Sequence, residues 1–86
     1  MNLFARLFGR KYNDEQLLSH AQTALATDPL LTEVTGVSIA STKGVVRLSG
    51  TVHKLTEKDR IEGDIRSAFK TAGLQYDRIV NEIQVG

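Results

Sequence analysis

The 86-residue chain contains no cysteine and no tryptophan, holds a single proline, Pro29, and has no run of apolar residues approaching the ~20 needed to cross a bilayer. Without cysteine there can be no disulfide, thiolate metal site or thiol nucleophile, so the fold must be held by packing alone. No glycine-rich phosphate cradle, no nucleophile with an ordered base and no aromatic platform for stacking bases is present. His20 and His53 fall in different elements with no ligand cluster near either, which argues against a transition-metal site or an acid–base pair. A chain of this length supports one modest core and leaves little for an enclosed catalytic cleft. No catalytic activity is expected. The function to look for is binding.

The composition, with charged residues at 24% and hydrophobic ones at 41%, is that of a globular domain and not of a disordered segment. The net charge of +1 is unevenly distributed. Residues 1–12 carry Arg6, Arg10 and Lys11 and no acid, whereas residues 13–86 hold eight basic and ten acidic side chains. A slightly acidic body is a poor match for a polyphosphate backbone, so nucleic acid is not an expected partner. In residues 1–12, Leu3, Phe4, Leu7 and Phe8 recur on one stripe of a short helix, flanked by the three cations. The stripe is too short to span a membrane and lacks the apolar core and small-residue cleavage site of a secretory signal. A cytoplasmic location, in reach of the inner membrane surface, follows as the expectation.

Residues 13–86 read as one α+β domain. Asn13 followed by Gln16 starts a helix in which Leu17, Leu18, Ala21, Ala24 and Leu25 repeat at helical spacing to Ala26, and Asp28-Pro29 ends it. Alternation at Val37 and Ile39, then at Val46, Leu48, Gly50 and Val52, predicts two strands joined by a tight turn at Thr42-Lys43-Gly44, with Gly44 taking a positive φ. Ser38, Ala40, Arg47, Ser49 and Thr51 would face away from the core. Thr56 can cap a second helix with Ile61, Ile65, Ala68, Phe69 and Ala72 on one face and Gly73 at its end. A last strand over residues 78–85 puts Ile79, Asn81, Ile83 and Val85 on one side. The order αββαβ predicts a small three-stranded mixed sheet with both amphipathic helices on one face, plus the short amphipathic segment at the start. The second and third strands should run parallel, with their adjacency left open.

The stretches Asp28-Pro29, Gly44-Val45-Val46-Arg47-Leu48-Ser49-Gly50-Thr51-Val52 and Ile79-Val80-Asn81-Glu82-Ile83-Gln84-Val85 together resemble the BON domain, a family named for osmotically inducible and nodulation proteins. The resemblance covers roughly residues 14 to 85. It implies a non-catalytic bacterial module, in many members attributed to phospholipid or membrane-surface binding, and in one cytoplasmic relative, which also carries a LysM module, to potassium binding. This chain shows one copy of the pattern and no LysM segment.

On that footing Leu3, Phe4, Leu7 and Phe8 would enter the headgroup boundary while Arg6, Arg10 and Lys11 meet anionic lipid phosphates. The competing reading folds the same stripe back onto the domain as ordinary core. A potassium ion would be held by backbone carbonyls, with the Asp28-Pro29 reversal and the Thr42–Gly44 hairpin as the places where carbonyls could converge. A protein partner, or a structural domain that pairs through its open sheet face or edge into an oligomer, is the remaining possibility, and the domain itself is expected to be a monomer. Gly50 reads as a bulge or close backbone approach, Asn81 as a polar group needing partners, and Gly63 as a tolerated cost on an outer helix face. Lys54, Lys58, Arg60, Arg66 and Lys70, interleaved with Glu57, Asp59, Glu62 and Asp64, read as a solvated, salt-bridged surface.

Overall fold

The computed structural model describes residues 11–86. Helix α1 spans Asp14–Ala26, and the Asn13 side chain accepts a hydrogen bond from Gln16 N at 3.1 Å, satisfying one of the unpaired donors of its first turn. A 3₁₀ turn, Pro29–Leu31, follows at the proline and is capped by the Asp28 carboxylate on Leu30 N at 2.9 Å. Strands β1, Val37–Thr42, and β2, Val45–Val52, form an antiparallel hairpin. Helix α2 spans Leu55–Ala72 and ends at Gly73 in the left-handed conformation. It starts two residues earlier than a Thr56 cap would give: Lys54 occupies the cap position, and the Glu57 carboxylate reaches back to the N–H groups of His53 and Lys54 at 3.1 and 2.9 Å. The acid in the first turn, and not a hydroxyl before it, is what satisfies the entry.

The expected last strand is interrupted. It forms as β3, Arg78–Asn81, and β4, Gln84–Val85, both parallel to β2. Val45 pairs with Arg78 and Val52 with Val85, so the offset along β2 is unchanged across the break and no residue is inserted. The sheet order is β1-β2-β3, with β4 extending the line of β3 beside β2, so the parallel strands are neighbours. The break falls where β2 itself departs from extended geometry, at Gly50 with φ +117°. There the chain passes so close to β1 that a Cβ on Gly50 would lie 1.7 Å from Gly36 O, whose carbonyl accepts from Thr51 N at 3.2 Å. The close-approach reading of Gly50 holds, and its reason is steric.

Both helices pack on one face. Leu17 and Ala21 of α1, Leu31, Val46, Leu48 and Val52 of β2, Ile61, Ile65 and Phe69 of α2, and Ile83 make a single buried core. Ser38, Ala40, Arg47, Ser49 and Thr51 are exposed on the opposite face, as their parity requires. Leu18, Ala24 and Leu25 are only half-buried and Ala72 is exposed, because each lies at the margin of its helix stripe. Asn81, on the core side of β3, is fully engaged: its amide nitrogen donates to Lys58 O and Glu62 Oε1, and its Oδ1 accepts from Ile83 N, all at 3.2 Å. The side chain bridges the strand break and ties it to α2.

Candidate functional site

The hairpin end of the sheet is built around Gly44. Lys43 and Gly44 both have positive φ, 51° and 82°, the pair of conformations that a two-residue turn needs to match strand twist. The Asp14 carboxylate, presented by the first turn of α1, accepts from Ser41 Oγ at 2.7 Å, Lys43 N at 2.7 Å and Gly44 N at 3.0 Å. Gly44 O accepts from Asp77 N at 2.8 Å and Arg78 N at 3.4 Å, bringing the entry to β3 onto the same turn. The Tyr12 ring lies over Gly44 so closely that a Cβ there would sit 2.5 Å from its Cγ. This contact seats Tyr12 on the hairpin end of the sheet. Lys11 is exposed, with its Nζ 5.5 Å from the Tyr12 ring centroid, in range of a cation–π contact. Lys43 and Arg78 are exposed at the same pole, and Arg78 pairs loosely with Asp77 at 3.8 Å.

Of the residues expected to meet lipid, Leu3, Phe4, Arg6, Leu7, Phe8 and Arg10 lie outside the described residues, while Lys11 sits at this pole. At the two turns where carbonyls could converge on a cation, one oxygen in each accepts from the chain's own N–H groups: Asp28 O from Leu31 N at 3.0 Å, and Gly44 O from the pair named above. Among the described residues no group of three or more His, Asp or Glu is placed to hold a metal ion, and no helix is long and apolar enough to cross a membrane.

A second constellation escapes the sequence reading. The buried Asp28 carboxylate receives both Nε and Nη2 of Arg60, at 2.6 and 3.1 Å, in a bidentate pair. Asp64, one helical turn beyond Arg60, faces the same carboxylate and has one buried oxygen, Oδ2, without a hydrogen-bond donor. The Arg60 hydrogen bonds hold Asp28 well below the usual carboxylate range. Burial, followed by a hydrogen bond that the protonated carboxyl makes to Asp28 and by the Asp28 charge, pushes Asp64 up to about 6. Arg60 and Asp64 therefore do not belong to a merely solvated surface, whereas Arg66 and Glu62, 2.6 Å apart, do form the expected surface pair. The only signal in the sequence was the i, i+4 spacing of Arg60 and Asp64. Their meeting with Asp28 depends on how α2 crosses the end of α1.

Beside this cluster an open groove of about 600 Å³ runs between the last turn of α1, the segment after the 3₁₀ turn and β1, with Leu25, Val34, Val37 and Ile39 among its apolar walls. Leu30 and Leu55 are exposed near α2's first turn, where Leu30 shares a smaller depression with Lys54 and Arg60. Comparison with protein-family models and with curated proteins finds no match to the chain.

Proposed function

We propose that this chain is a non-catalytic binding module of BON type whose basic start engages an anionic phospholipid surface. The observation that carries the reading is the joint at Tyr12. It sets Lys11, the last cation of a stretch with three cations and no acid, at the end of an otherwise slightly acidic body where Lys43 and Arg78 are also exposed. Cations near an anionic surface contribute about 1 kcal/mol each, and each large apolar side chain fully buried at the headgroup boundary adds about 1.5–3 kcal/mol. Ordering a short helix offsets part of this, so binding is reversible and salt-sensitive. The element order and the three motif stretches support the BON assignment.

The structure dictates the variant for the test. Deleting residues 1–12 would strip Tyr12 from Gly44 and disturb the hairpin, so the segment is instead altered in place as Arg6→Glu with Arg10→Glu, and separately as Phe4→Ser with Phe8→Ser. Co-sedimentation with phosphatidylglycerol vesicles should show binding that falls with salt, is absent on phosphatidylcholine and is lost in both variants. Equal binding by the charge-reversed protein would refute the mechanism. A response to potassium that sodium does not reproduce, without vesicle binding, would move the function to ion sensing.

A further inference from the structure

The sheet has two edges, and they are built differently. The β3/β4 edge carries Arg78 and Glu82, is broken after Asn81, and has the Ile83 N–H taken by the Asn81 side chain. These are the devices by which natural sheets prevent edge-to-edge pairing. The β1 edge has none of them. Val-Ser-Ile-Ala-Ser-Thr contains no charge and no proline, and its pairing with β2 is regular over all six residues.

The hydrogen-bond phase identifies which groups are open. Gly36 O accepts from Thr51 N, so in the alternating antiparallel ladder Ser38, Ala40 and Thr42 turn their N–H and C=O groups toward β2. Val37, Ile39 and Ser41 therefore turn theirs outward, and β1 has no neighbour on that side among the described residues. The side chains of Val37 and Ile39 line the adjoining apolar groove.

We propose that the free edge of β1 pairs antiparallel with β1 of a second copy of this chain, about a two-fold axis at Ile39. Val37 then exchanges both backbone bonds with Ser41 of the other copy, and Ile39 does so with its counterpart. On the core side the two Ile39 and two Val37 side chains lie together, and the groove of each copy is closed by the other. Charge selects a copy of the same chain over an arbitrary strand. In this register the turn that follows β1 of one copy, with Lys43, comes beside the segment that leads into β1 of the other, with Glu33, and symmetry repeats the match at the other end. Both Lys43 and Glu33 are exposed, and neither forms an ion pair among the described residues. This departs from the monomer expected from the sequence, where the strand order that makes β1 an edge is not written.

Amide hydrogen exchange of the full chain, measured in dilute and in concentrated solution beside sedimentation equilibrium, tests the pairing. Protection of the Val37, Ile39 and Ser41 amides should rise by about tenfold or more with concentration, in step with dimer formation, while the Ser38 and Ala40 amides stay protected throughout. Glu33→Lys should weaken the dimer, and adding Lys43→Glu should restore it. A monomer at every concentration would overturn the proposal. So would protection of the three amides that is independent of concentration, the result if another part of the same chain covers the edge, or a dimer indifferent to both charge variants.

Discussion

One substitution, glycine to alanine, should have opposite consequences at two positions. At Gly50 the added methyl would lie 1.7 Å from Gly36 O, 2.8 Å from Gly36 C and 3.0 Å from Val37 Cα, all of them backbone atoms of a paired strand, and the residue's φ is +117°. No rotation of a side chain relieves this, so β1 must move away from β2 and weaken the Thr51–Gly36 bond. A non-glycine residue in such a conformation costs about 1–3 kcal/mol. Forcing extra volume into packed surroundings adds about 1–3 kcal/mol more. The total, about 2–6 kcal/mol, is a large part of the 5–15 kcal/mol typical of a domain. At Gly63, midway along α2, nothing lies within 4 Å of the added carbon. Alanine there should gain about 0.5–1 kcal/mol of helix propensity, a rise in Tm of roughly 2–8 °C for a domain of this size. Urea unfolding followed by circular dichroism reads both, with the midpoint falling for Gly50→Ala and rising for Gly63→Ala at constant slope. A Gly50→Ala protein within about 0.5 kcal/mol of the parent would refute the close-approach argument, since changes of that size are typical of unconstrained surface positions. A Gly63→Ala protein destabilised despite its open surroundings would refute the helix-propensity argument.

The Asp28–Arg60–Asp64 cluster makes stability depend on pH in a definite direction. Asp64 is raised in the folded state to about 6 from 3.8, so the folded chain holds a proton that the unfolded chain has already lost, and its contribution falls as pH rises from about 4 through 6. Asp28 is depressed, so its contribution is intact above its ordinary value and is lost only in stronger acid. Asp64→Asn, which retains a donor toward Asp28, should flatten the decline between pH 4 and 7 and stabilise the protein at pH 7; a thermal melt series with the same slope as the parent would exclude the assignment. Asn81→Ala should cost about 1–3 kcal/mol by leaving the Ile83 N–H without its acceptor, and faster exchange of that amide should accompany the loss in an unfolding titration. If the Ile83 amide exchanges as before, the side chain is not what closes that edge.

Local periodicity was sufficient for both helices and the hairpin strands. The apolar repeat from Leu17 to Leu25 and the alternation from Val46 to Val52 locate α1 and β2, because a residue's face depends only on its spacing from its neighbours. The sequence likewise separated the basic start from the acidic body, since charge is a property of composition. What it could not contain was the set of contacts between distant positions. The expected single final strand breaks beside Gly50, at the point where β2 meets Gly36 across the hairpin. The polar Asn81 is satisfied because α2 lies over β3. Asp28 and Asp64 share one buried space because the reversal after α1 brings residue 28 beneath α2. Which strand is an edge, and so which backbone groups remain open to a partner, is fixed by the strand order alone. Spacing along the chain determined the faces, and the tertiary structure decided what each face meets, because hydrogen bonding and desolvation depend on distance in space and not on separation in sequence.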